Sequence, residues 1–126
     1  MIIVDWGNFE ETFLVFRIRN KWTCAEFQVA VQEAFDLIAG KSEPIGMIVD
    51  LQAADRPPHN LMNHAFRYVN ACPLNLGPVA VLSRSDLWRR IWETGAMIYG
   101  TNDVNIHFVT SLDQAYTLME NKSPIA

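Results

Sequence analysis

Two stretches of this chain pair an unbroken apolar run of strand length with an amphipathic helical pattern, and few architectures accommodate that alternation. Ile45-Gly46-Met47-Ile48-Val49 lacks the every-other-residue polarity of a half-exposed strand, as expected for a strand covered on both faces. Behind it, Leu61, Met62, Ala65, Phe66 and Val69 recur at helical spacing. Pro57-Pro58 suits the first turn of that helix, because the N–H that proline lacks would find no helical partner there. Val79-Ala80-Val81-Leu82 repeats the apolar run, and Leu87, Trp88, Ile91, Trp92, Gly95 and Ile98 form the next helical stripe. Asp86 is its predicted cap and Gly100 its stop. Val104, Ile106, Phe108 and Val109 predict a last strand, after which Ser111 or Leu112 opens a helix carrying Ala115, Tyr116 and Met119.

The N-terminal part follows a different period. Ile2, Val4 and Trp6 share one face of a strand, and beyond the turn at Gly7-Asn8, Leu14, Phe16 and Ile18 alternate with Phe13, Val15 and Arg17, which predicts an antiparallel hairpin. Thr23 and Glu26 form a capping box, and Phe27, Ala30, Val31, Ala34, Phe35 and Ile38 make the buried stripe of the helix it opens, with Gly40 as its stop. The predicted order is ββαβαβαβα. Strands joined through helices pair in parallel, so the expectation is an α/β fold with a single mixed sheet of about five strands, the hairpin on one side and helices packed on the sheet.

A chain of 126 residues that is 50% hydrophobic and 19% charged has the length and balance of one packed domain. We place that domain at 1–122, with 123–126 as a tail. The net charge of −4 and the scatter of basic residues, relieved only by the pair Arg89-Arg90, argue against nucleic acid as a partner. The opening strand has no signal-peptide character and no apolar run is long enough to cross a bilayer, so a cytoplasmic protein is expected. Cys24 and Cys72 match no metal or redox spacing and read as reduced thiols.

In open sheets of this kind ligands bind beyond the carboxyl ends of the parallel strands, which selects the loops Asp50–Asn60, Ser83–Asp86 and Thr110–Asp113. The candidate ligand or partner-binding residues there are Asp50, Asp55, Arg56, His59 and Asn60 in the first loop and Ser83 and Arg84 in the second. Trp88 and Trp92, one turn apart on the following helix, complete the set. Each has an ordinary structural alternative. Asp50 can bond backbone at a strand end, Asp55 and Arg56 can form a solvated pair worth little, and the indoles can be core. If the indoles line a cleft instead, they suit a hydrophobic ligand or a partner helix.

Motifs for chemistry are sparse. His59 and His64 are five residues apart, about 140° around a helix, so they share no metal, and His107 reads as a strand residue. No metal is expected. No G-x-S-x-G elbow supports Ser83 or Ser85 as a nucleophile. Gly77 precedes its strand and neither phosphate-binding glycine motif is present, so no cofactor is expected. A non-catalytic binding or regulatory module is the preferred reading, acting through protein contacts or a small hydrophobic or anionic ligand. The rival is a small hydrolase or transferase using Asp50, Asp55 and His59. A homodimer pairing apolar helix faces is compatible with the same patterns.

The element order, the Trp22-Thr23 start of the first helix, the strand Ile48-Val49-Asp50-Leu51 and the proline-bearing loop after it resemble the STAS-like domains. These are relatives of the bacterial anti-sigma-factor antagonists, and the similarity is greatest to their short, stand-alone branch. The resemblance implies a non-enzymatic module that works through protein contacts and, in structural relatives, through a lipid or other small hydrophobic ligand. Well-known members carry an Asp-Ser pair where the helix after the third strand begins, and a partner kinase phosphorylates that serine. The matching stretch here is Asp55-Arg56-Pro57-Pro58-His59-Asn60, without a serine, so that phosphoswitch has no hydroxyl to act on.

Overall fold

The computed structural model describes residues 1–58, 61, 72–99 and 105–120, with 95–99 as backbone. Its elements are β1 (Ile2–Trp6), β2 (Phe13–Asn20), α1 (Cys24–Ala39), β3 (Ile45–Ala54), β4 (Leu76–Leu82), α2 (Leu87–Tyr99), β5 (Ile106–Val109) and α3 (Leu112–Glu120). The five strands form one mixed sheet whose spatial order is the chain order. β1 runs antiparallel to β2, with Val4 opposite Phe16, and β2, β3, β4 and β5 are mutually parallel. The expected mixed sheet and its edge hairpin are therefore present. The helix expected behind Pro57-Pro58 lies outside the described residues apart from Leu61, which is helical and buried. So do Gly100, Val104 and the tail.

Strand alternation sorts the core into two layers. Leu14, Phe16 and Ile18 of β2 point toward α1 and pack with Ala30, Val31, Ala34 and Ile38. Phe13 and Val15 point the other way, where Ile48 and Ala80 meet Ala115 and Met119 of α3. The unbroken apolar character of β3 is thus explained, since its successive residues serve opposite layers. Trp88 of α2 packs on the α1 side, so α1 and α2 share one face and α3 has the other.

Local chemistry fixes most helix ends. Thr23 accepts the Glu26 N–H at 3.1 Å and Glu26 Oε1 accepts the Thr23 N–H at 3.2 Å, the reciprocal pair expected. At α2 the hydroxyl that accepts the Leu87 N–H belongs to Ser85 rather than to Asp86. Ser83 in turn holds Ser85 in place by accepting its N–H. Ser111 caps α3 by accepting the Gln114 N–H, while Gln114 returns its side-chain oxygen to Thr110.

Gly40 ends α1 without the left-handed conformation that makes glycine a stop signal, its φ being −73°. It is still the C-cap, its N–H donating to the Asp36 carbonyl at 3.1 Å, and Asn75, just ahead of β4, pins the link that follows. The Asn75 Nδ2 donates to the carbonyl of Ile38 in the last turn at 2.7 Å and to those of Glu43 at 3.1 Å and Lys41 at 3.2 Å in the link beyond it. Asn75→Asp, which keeps the shape but turns a donor into a charged acceptor, is expected to cost about 2 to 3 kcal/mol in urea unfolding at unchanged m-value. A loss under about 0.5 kcal/mol, the range of an ordinary surface change, would mean that the amide does not hold the link.

Candidate functional site

β2 ends at Asn20, which adopts the left-handed region at φ 56°, a conformation asparagine tolerates better than most residues. The turn aims the Asn20 carbonyl at the Asp55 N–H, which donates to it at 3.0 Å. It also throws Trp22 inward, where it is 6% exposed and its Nε1–H donates to the Asp55 carbonyl at 3.3 Å. Both backbone groups of Asp55 are thereby tied to the segment that leads into α1. The end of β3 and the start of its following loop are fixed at one point.

On this anchor stands an aromatic wall. Trp22 stacks on Trp88 with centroids 6.0 Å apart and planes at 29°, and Phe27 leans on Trp22 at 5.9 Å and meets Phe16 edge-on at 5.9 Å. Such offset and edge contacts add modestly to the burial of the rings themselves. Behind them lies a cavity of about 170 Å³ between the sheet and the helices. Alternate residues of β2 to β5, among them Phe16, Met47, Val49, Val81 and Phe108, make its floor. Phe27 and Val31 of α1 and Trp88, Ile91 and Trp92 of α2 make its roof, with Trp22 and Leu61 closing the side. Every lining residue is apolar or aromatic, and the indole N–H of Trp22 is spent on Asp55. A cavity of this size with such walls has nothing to hold water, which needs two to four polar partners, and similar voids take up small apolar molecules.

A second, polar cleft of about 220 Å³ opens beyond the carboxyl ends of β3 and β4. Asp55, Arg56, Ser83 and Arg84 line it together with Leu51 and Trp88, and these last two also line the apolar cavity. The two spaces therefore share a wall. Asp55, Arg56 and Arg84 are exposed, and neither arginine has an ion-pair partner among the described residues.

The first loop is shorter than the sequence predicts, because β3 continues to Ala54 and keeps Asp50 within the ladder opposite Arg17. Asp50 has the orientation of Ile48, two residues earlier, and so faces the α3 side. Its Oδ1 accepts the Gln52 N–H at 3.0 Å. Asp50 and Asp55 are not brought together. His59 and Asn60 lie outside the described residues, as does His64. In the third loop Thr110 and Ser111 are engaged in the α3 cap, and His107 Nε2 pairs with Asn105 Oδ1 at 2.7 Å on the exposed side of β5. Trp88 and Trp92 are half-buried and line the cavity. The candidate set read from the sequence does not include Trp22, Phe27 or the sheet residues of the floor, which figure there only as elements of the fold. A large indole in the short link before a helix cap was the available signal.

Two solved structures share the architecture. One is the crystal structure of an anti-sigma factor antagonist from Mycobacterium paratuberculosis, with a TM-score of 0.65 and 14% identity over 96% of this chain and 94% of that one. The other is an uncharacterised protein of the DUF3478 family with a SpoIIAA-like fold, from Shewanella loihica PV-4. Its TM-score is 0.66 at 16% identity over 94% of this chain and 92% of that one. The chain has the SpoIIAA-like fold. No family model matches it, and no curated protein does. The STAS-like architecture read from the element order and the Trp-Thr and Val-Asp-Leu motifs is thus found at the level of fold. Within this SpoIIAA-like frame the cavity lies on the face of the sheet that carries α1 and α2, and the polar cleft caps the carboxyl ends of the central strands. No helix among the described residues is long and apolar enough to cross a membrane.

Proposed function

We propose that this chain is a non-catalytic regulatory module that holds a small apolar ligand between its sheet and helices and acts through a protein partner. The observation that carries the reading is the wholly apolar cavity walled by Trp22, Phe27, Trp88 and Trp92. A void of that size forfeits dispersion contacts that a packed core would make, at a cost near 24 cal/mol per Å³ in cavity-forming mutants. An occupant of matching shape restores those contacts. On this reading Trp88 and Trp92, which line the cavity, contact the ligand, and Arg56, Ser83 and Arg84 belong to the adjoining cleft. The protein-contact half of the proposal is supported by likeness of fold to an anti-sigma factor antagonist. No serine stands in the stretch Asp55–Asn60, so control by serine phosphorylation there is not part of the proposal. The hydrolase alternative loses support because Asp50 stays within the β3 ladder and bonds the Gln52 N–H, whereas Asp55 lies beyond the strand and lines the cleft without it.

Three of the four tryptophans line the cavity, so occupancy has a built-in optical readout. Titration with phenylbutanol or hexanol is expected to change the intrinsic fluorescence saturably and to raise the melting temperature in step with ligand concentration, as binding to the native state alone requires. A flat titration with no thermal shift at millimolar ligand would remove the ligand half of the proposal.

A further inference from the structure

We infer that the ligand is a monoanionic amphiphile, a short acyl or aryl group carrying one carboxylate, with its apolar end in the cavity and its charged end on Arg56 and Arg84. This rests on the cavity being a ligand site, and goes beyond it by assigning the head group. The cavity has no polar partner for any substituent, whereas the adjoining cleft, which shares Leu51 and Trp88 with it, presents two guanidinium groups against one carboxylate, Asp55. That arrangement leaves one net positive charge at the rim of an apolar space.

Both arginines project from backbone that is already fixed. Arg56 follows Asp55, whose N–H and carbonyl are bonded to Asn20 and Trp22. Arg84 lies between Ser83, whose N–H donates to the Val109 carbonyl at 3.2 Å, and Ser85, whose N–H donates to the Ser83 hydroxyl at 3.1 Å. Little chain ordering is then left to oppose binding. A guanidinium fork matches a carboxylate through two parallel N–H···O bonds and gives up its hydration more readily than an ammonium. An uncharged amphiphile of the same length would leave both arginines solvated and gain only the apolar term.

The test compares phenylbutyrate with phenylbutanol, and hexanoate with hexanol, by calorimetric titration of the wild-type chain and of the double variant R56Q/R84Q. The acids are expected to bind about tenfold more tightly than the matching alcohols. In the double variant that preference should vanish while the alcohols keep their affinity within about twofold, the retained alcohol binding also reporting an intact fold. Equal binding of acid and alcohol to the wild type would overturn the head-group assignment and leave the cavity reading standing. An acid preference that survives in R56Q/R84Q would overturn the assignment to these two arginines. Binding of none of the four compounds would remove the cavity reading and this inference together.

Discussion

Truncation of Phe16 to alanine should lower the unfolding free energy by about 4 kcal/mol, within the range for large-to-small changes at buried aromatics. Phe16 is 2% exposed, sits in the second strand of the sheet, meets Phe27 edge-on and forms part of the cavity floor. Removing it deletes the burial of a large ring and enlarges a void that already exists, so the structure has little with which to fill the space. Against a total stability of roughly 5 to 15 kcal/mol for a domain of this size, the variant should be close to its folding limit at body temperature. Urea titration followed by circular dichroism reads the effect as a shift of midpoint at constant slope. A loss below about 1 kcal/mol, the value of a typical single substitution, would show that the ring is not part of a close-packed interior.

Val81→Phe should do the opposite to the cavity. Val81 lies on β4 between Val49 of β3 and Phe108 of β5 in register, and all three line the void. A larger side chain in a close-packed core costs roughly 1 to 3 kcal/mol, but here the added ring enters free space, so the melting temperature should hold or rise. Affinity for phenylbutanol should fall at least 30-fold, about 2 kcal/mol. Undiminished binding to a stably folded Val81→Phe would place the occupant elsewhere on the molecule.

The parts of the fold most legible in the sequence were those where local chemistry and tertiary environment agree. The Thr23/Glu26 capping box, the alternation of β2 and the apolar run of β3 are each set by a single period or a single pair of side chains. The start of β4 was harder to read because Gly77-Pro78 has the look of a chain breaker. Both residues are in the strand, at a register shift where Gly77 and Pro78 oppose the single residue Gly46. Proline has no N–H to offer a ladder, and a bulge absorbs that deficit. Asp50 heads the first candidate loop and also belongs to the strand Ile48-Val49-Asp50-Leu51, and its structural alternative is the one found: it stays in the ladder and accepts a backbone N–H from Gln52, while the strand runs on to Ala54. The link after α1 depends on Asn75, distant in sequence from the carbonyls it gathers, and no local pattern signals such a contact. For the candidate site, the strand-end rule found the cleft residues Arg56, Ser83 and Arg84. The cavity behind them is a mismatch in volume between layers, a property of three-dimensional packing that residue types alone do not encode.

The coincidence of spatial and chain order in the sheet bears on how the molecule is made. Each strand is laid down beside the one synthesised just before it, so no later segment has to be inserted between two that are already paired. A nascent chain leaving the ribosome can extend the sheet at a single growing margin, and each new loop to be closed spans only one connecting segment. Only the hairpin is a short-range closure; each parallel crossover spans roughly twenty residues and is slower to close, and the aromatic floor is complete only when the last strand docks.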